Sequence, residues 1–108
     1  MIKVLIVEDS AVAQEFLTHL LASDPAIRVV GVAGNGEEAI KLVKKKKPDV
    51  ITMDIHMPKM DGFETTRLIM RTIPTPIVIV SAIGRIKEAA YTFRLLEAGA
   101  LAVLLRPP

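Results

Sequence analysis

Five short apolar runs punctuate the chain: residues 3–7 (KVLIV), 28–33 (RVVGVA), 49–53 (DVITM), 76–81 (PIVIVS) and 101–105 (LAVLL). They are rich in β-branched residues and mostly continuous. A strand with one face in water alternates apolar and polar residues, whereas a strand covered on both faces does not, so these runs predict a parallel sheet. Between them the apolar period changes to that of a helix. Over 11–22, Ala13, Phe16, Leu17, Leu20 and Leu21 fall on one helix face. Ala39, Ile40 and Val43 do the same over 36–47, with Asn35 placed to cap the first turn. The stripe over 62–72 is weaker (Phe63, Arg67, Met70). That over 85–98 carries Ile86, Ala89, Ala90, Phe93 and Leu96 and stops at Gly99.

The resulting order, βαβαβαβαβ, predicts an α/β domain: a doubly wound parallel five-stranded sheet with helices on both faces and right-handed crossovers. One domain is expected over residues 1–108, with no internal repeat, linker or low-complexity segment.

Composition narrows the chemistry. Aromatic residues are 4% of the chain, which argues against stacking platforms for single-stranded nucleic acid. The formal net charge is only +2, and Lys44–Lys45–Lys46–Lys47 reads as a solvated helix end at its negative dipole pole, so no direct nucleic-acid partner is expected. Without cysteine there are no disulfides and no thiolate metal sites. No apolar stretch reaches membrane-spanning length, and the acidic pair at residues 8 and 9 comes too early for a signal peptide. A cytoplasmic domain with no membrane partner is expected.

Ligands of open α/β sheets bind beyond the carboxyl ends of the strands. The first run delivers Glu8 and Asp9 there, the third Asp54, the fourth Ser81 and the fifth Arg106. Three close carboxylates repel one another unless a cation lies among them. Oxygen ligands without sulfur suit Mg²⁺ or Mn²⁺ better than zinc. Taken alone, Glu8 and Asp9 could merely favour the positive end of the following helix, and Ser81 could be an ordinary strand-end hydroxyl. Asp54 lies between apolar segments where no helix pattern begins. His56 has no second histidine near it in sequence and is expected to be a loop residue whose backbone carbonyl matters more than its ring. Met53, Met57 and Met60 are expected to serve packing.

A competing motif, GNGEEA from Gly34 to Ala39, fits G-x-G-x-x-G/A after a strand and before a helix, with Asp54 twenty residues past Gly34. That is a dinucleotide-binding pattern. It stands in the second βα turn rather than the first, and Glu8 and Asp9 on the adjacent strand would repel a pyrophosphate.

The segments VLIVEDSA, PDVITMDIHMPKMDG, VIVSA and AGA…RP resemble those of a response-regulator receiver domain, in the right order and on the right strand ends. The phrases ASDPAIRVVGVAGNGEEA and RTIPTPIVIVSA are most similar to the receiver half of chemotaxis protein-glutamate methylesterases. The resemblance implies a flavodoxin-like strand order, 2-1-3-4-5, in a two-component phosphorelay. It implies that Asp54 accepts a phosphoryl group from the phosphohistidine of a sensor histidine kinase. Glu8, Asp9, Asp54 and the His56 carbonyl would hold Mg²⁺, Ser81 would meet the phosphoryl oxygen, and a surface around the fourth strand and helix would switch a downstream output domain or regulator.

The chain departs from the family at Arg106, where lysine is usual, and at Val103, where an aromatic switch residue is usual. Arginine is cationic but planar and forked, so the exchange is not conservative. By resemblance the Arg106–Pro107 bond is expected to be cis. The family's fifth helix does not follow the last strand, so the domain is expected to be a truncated piece of a longer regulator. Part of LAVLL would then lie bare and favour a homodimer. Any methylesterase activity would need residues this chain does not contain. The alternatives are a pseudo-receiver, a protein-binding module without phosphosignalling, and the dinucleotide-binding protein.

Overall fold

In the computed structural model, residues 1–82 and 89–106 are described. Strands β1 (Ile2–Val7), β2 (Ile27–Ala33), β3 (Val50–Met53), β4 (Ile77–Ala82) and β5 (Ala102–Arg106) alternate with helices α1 (Ala11–Ala22), α2 (Gly36–Lys46), α3 (Gly62–Thr72) and α4 (Ala89–Glu97). The sheet is parallel throughout, in the order β2-β1-β3-β4-β5. The continuous apolar runs thus mark parallel strands, deeply buried in β1, β3 and β4 but only partly covered at the edges β2 and β5. The order reverses between β1 and β3, which opens a crevice above their carboxyl ends.

Side chains of successive residues point to opposite sheet faces and build two unequal cores. The larger combines Leu5, Val7, Ile51, Met53, Ile77 and Ile79 with Ala39 and Val43 of α2, Ile69 of α3 and Leu95 of α4. Val103 packs against it as a partly buried aliphatic residue, opposite Ile79 in the β4–β5 register. The smaller core combines Val4 and Ile6 with Leu17 of α1, and Val50 and Val80 border it.

Only part of the α1 stripe is used. Ala13 and Leu17 are buried, while Phe16 and Leu20 remain 57% and 56% exposed. Leu104, opposite Val80 in the register, is 55% exposed on the same sheet face. The bare apolar surface expected on the last strand is therefore present. In α3 the fully buried residues are Gly62, Thr65, Thr66 and Ile69; of the predicted stripe, Phe63 and Met70 pack half-buried against the larger core and only Arg67 is exposed. Close packing against α2 explains the difference. A side chain on Gly36, at the start of α2, would collide with Thr65 Oγ1 and with Met60, so small residues had to face inward there.

The local signals hold elsewhere. Asn35 Oδ1 accepts the Glu38 N–H at 2.9 Å and caps α2. Lys44–Lys46 occupy its last turn, exposed, and Lys47 closes it in the left-handed conformation at φ 47°. Gly99 takes φ +119° after α4, as its C-terminal stop requires. The part of the fourth predicted helix at residues 85–88 and the Arg106–Pro107 bond lie outside the described residues.

The unequal cores lead to a contrast between two truncations. Ile79→Ala should cost about 2–5 kcal/mol through a cavity in the larger core. Leu104→Ala, on the bare face, should cost under about 1 kcal/mol and reduce binding of an apolar dye. Urea denaturation of both variants, followed by dye fluorescence, checks this.

Candidate functional site

The backbone ladder continues one residue past β1 and β3. Glu8 N–H donates to the Ala33 carbonyl at 2.9 Å, and Asp54 N–H donates to the Val7 carbonyl at 2.9 Å. The same parallel pairing that builds the sheet therefore sets Glu8 and Asp54 side by side at its carboxyl edge. Asp9 follows on the exposed rim. Carboxylate oxygens of Glu8, Asp9 and Asp54 all lie within 4.8 Å of one another. Glu8 and Asp54 are each only 1% exposed.

Backbone groups hold these acids in place. Asp54 Oδ1 accepts the Ile55 N–H at 2.8 Å, and Glu8 Oε2 accepts the Ser10 N–H at 3.1 Å. Ser10 also caps α1 by accepting the Ala13 N–H on its hydroxyl at 3.3 Å. Gln14, one turn into α1, donates from Nε2 to the Glu8 carbonyl at 2.6 Å. Neither acid lies within the first turn of α1, so the helix-dipole reading of Glu8 and Asp9 does not account for their placement.

The loop after β3 is pinned from the far side. Gly62 N–H donates to the Ile55 carbonyl at 2.7 Å, and a side chain at Gly62 would fall on the Asp54 carbonyl oxygen. Asp61 caps α3 by accepting the Glu64 N–H at 2.8 Å. Lys59 takes φ 68° to complete the reversal. His56 is exposed in this loop, in line with its expected role as a loop histidine. Met53 is core, Met57 packs against it, and Met60 abuts Gly36, so the three methionines serve packing.

Burial pushes the Glu8 carboxyl up from 4.5 to about 7. The Ser10 amide opposes this, while the Asp54 charge and hydrogen bonds with Asp54 and Asp9 add to it. Near neutral pH Glu8 is thus divided between its protonated and ionised forms, and a divalent cation that favoured the ionised form would displace the proton.

Ser81 ends up at the same edge, on β4 beside β3, fully buried, and its hydroxyl has no hydrogen-bond partner among the described residues. A buried hydroxyl without a partner is costly, which marks a place where an acceptor is missing. Arg106 closes β5 opposite Ala82 in the register, one residue past the Ser81 pair. The disposition of its side chain lies outside the described residues. The edge therefore gathers Glu8, Asp9, Asp54 and Ser81 with the backbone position of Arg106.

The glycines of the competing motif have a different use. Gly36 faces Thr65 and Met60, and Asn35 occupies the cap of α2. The turn is thus filled by α3 and its loop where a pyrophosphate would have to approach. Sequence reasoning missed Ser10, Gln14 and Gly62. A serine just before a helical period signals the cap, and Asp61-Gly62 signals a turn. Nothing local signals the Gln14 contact, which depends on how α1 returns over β1.

This strand order, with three acids at the switch point, is that of a flavodoxin-like doubly wound α/β domain with an acidic edge. The sequence matches the response regulator receiver domain family over residues 4–108, and the chain belongs to that family. It is 66% identical over 107 residues to a protein-glutamate methylesterase/protein-glutamine glutaminase of Syntrophus aciditrophicus, covering 99% of this chain and 31% of that protein. A second such protein, from Nitrosospira multiformis, is 60% identical, with 99% and 30% covered. The chain thus spans under a third of the curated relatives it matches. In structure it is similar to the response regulator domain of Thermotoga maritima CheB, with TM-score 0.91 and 41% identity over 97% of this chain and 78% of that one. It is also similar to a chain in the CheX–CheY–BeF3–Mg complex from Borrelia burgdorferi, with TM-score 0.89 and 29% identity over 99% of this chain and 79% of that one. Among the described residues no helix is long and apolar enough to cross a membrane.

The raised Glu8 value carries a definite sign. Its proton is bound more tightly in the folded chain than in the unfolded one. The associated stability is fully present below about pH 4.5 and is lost as pH rises through about 7. Without divalent cations, wild type should lose roughly 2–3 kcal/mol over this window relative to Glu8→Gln. Paired urea titrations from pH 4.5 to 8 read the difference, and parallel curves would remove Glu8 as its source.

Proposed function

We propose that this chain is a phosphoacceptor switch in chemotaxis-type two-component signalling, with Asp54 as the acceptor. The observation that carries this reading is the convergence of three carboxylates at one strand edge with a buried, unpartnered Ser81 hydroxyl. An oxygen of the Asp54 carboxylate attacks the phosphorus of a sensor kinase's phosphohistidine. A new O–P bond forms, the N–P bond breaks, and the imidazole leaves with the electron pair. Water later hydrolyses the aspartyl phosphate and restores the carboxylate.

Glu8, Asp9, Asp54 and the His56 carbonyl are the oxygen donors that would hold Mg²⁺ or Mn²⁺. When bound, such an ion supplies the positive charge that lets the anionic phosphoryl group approach three acids. The all-oxygen donor set, and a Glu8 proton available for displacement, support that assignment. The chain's own part is positioning. The β1 and β3 ladders fix the acids, and Gly62 lets α3 press on the acceptor loop. Ser81 donates its hydroxyl to a phosphoryl oxygen, which satisfies the partner it lacks. Arg106 supplies a cation from β5.

The phosphoryl group adds a charge of about −2 at neutral pH. Its contacts with Ser81 and Arg106 draw β4 and β5 toward Asp54, and the surface around β4 and α4 transmits the change to an output domain or regulator. Val103 is aliphatic and packed against the core, so the switch cannot depend on a ring swinging at that position. This feature, with Arg106, favours one second reading, a pseudo-receiver that binds partners without phosphorylation.

Acetyl phosphate with Mg²⁺ separates the two. Wild type should form an acid-stable, base-labile adduct visible by intact mass, and Asp54→Asn should form none. Ser81→Ala should keep the adduct but form it about 10- to 100-fold more slowly. A folded wild-type chain that forms no adduct is the pseudo-receiver outcome.

A further inference from the structure

Aromatic residues are scarce in this chain, yet two of them meet between α3 and α4. The Phe63 and Tyr91 rings lie 6.4 Å apart between centroids, tilted by 35°. Two guanidinium groups converge on the Phe63 ring, Arg94 at 5.0 Å from its centroid and Arg67 at 5.9 Å. Beside them opens a groove of about 220 Å³, lined by Phe63, Arg67, Arg94, Glu97 and Ala98.

The ring holds both arginines in place but does not neutralise them. A cation over an exposed aromatic face gains only about 0.5–1 kcal/mol and uses none of the guanidinium's donors in a conventional hydrogen bond. Among the described residues the one ion pair is Lys59 with Glu37 at 4.0 Å, so neither arginine has a carboxylate partner within that distance. Two like charges therefore share one ring, both exposed, with their donors facing solvent rather than a protein carboxylate. An anion between them would relieve the repulsion and take charge-assisted hydrogen bonds.

The lining selects among anions. The groove is smaller than the roughly 300–1,000 Å³ of typical small-molecule sites, so it suits one side chain. Phe63 and Ala98 offer an apolar wall to a methylene stem. Glu97 offsets one of the two positive charges and leaves a surplus of one. That balance matches a single carboxylate and disfavours a dianionic phosphate. We propose that the α3–α4 groove is a docking site for a glutamate side chain on a partner protein, held between Arg67 and Arg94 with its stem on Phe63. The site shares no residue with the acidic cluster at the strand ends, so its test is independent of phosphorylation at Asp54.

A blocked peptide with one glutamate between alanines, titrated into the isotope-labelled chain and followed by NMR, provides the test. Saturable shifts should centre on Phe63, Arg67, Arg94 and Ala98. Replacing the peptide's glutamate by glutamine, or Arg94 by alanine, should weaken binding about tenfold. Arg94→Lys keeps the charge without the fork and should weaken it several-fold, which keeps the test available if the alanine variant folds poorly. Glu97→Gln should strengthen binding. Equal shifts from the glutamine peptide, or undiminished binding after Arg67→Ala combined with Arg94→Lys, would overturn the proposal. Tighter binding of a phosphoserine peptide would overturn it too.

Discussion

Three carboxylates held within 4.8 Å of one another, two of them almost fully buried, are the constraint on which the rest of this molecule turns. Their mutual repulsion and desolvation oppose folding, and the sheet must absorb that cost. It does so through parallel ladders that continue past Val7 and Met53 to fix the Glu8 and Asp54 backbones. Proton retention on Glu8 relieves part of the strain in the metal-free chain. The remainder is a standing cost of holding three acids together, which the folded sheet carries.

The surrounding elements serve that constraint from two sides. From one, α1 supplies the Ser10 cap and the Gln14 bond that hold the Glu8 segment. From the other, Gly62 and the left-handed Lys59 bring α3 against the carbonyl of Asp54. Phe63 follows directly, and its contacts with Tyr91 and Arg94 carry the line of packing into α4. The loop after β3 and the α3–α4 groove are therefore neighbours along the chain as well as in space. The two cores differ in the same functional direction. The larger one fixes β3 and β4 beneath the acids, while the smaller one leaves Phe16, Leu20 and Leu104 exposed on the opposite face.

Much of this was legible in the residues. Continuous β-branched runs predicted all five strands, although burial on both faces, which removes alternation, holds for the central strands and not for the edges β2 and β5. Asn35 and Gly99 predicted a cap and a stop because each satisfies a local backbone requirement. The inward face of α3 was not legible. Thr65 looks like a surface residue, and the closeness of α2, which Gly36 permits, turns it inward. The GNGEEA motif is ambiguous for the same reason. Gly36 fits a phosphate cradle and equally fits a helix packed tightly on its neighbour, and spacing along the chain cannot distinguish the two.

The sequence by itself determined which residues are acids, where the strands end and that several acids fall at strand ends, since these follow from side-chain chemistry and backbone period. Only the tertiary structure decided that Glu8, Asp9 and Asp54 meet, because that depends on β1 pairing with β3 across the whole intervening α1–β2–α2 segment. It alone buried Ser81 without a partner, and it alone brought Arg67 and Arg94 from separate helices onto one ring. The physical reason is common to all three. Each is an interaction between residues far apart in the chain, whose encounter is set by strand order and helix packing rather than by any local preference.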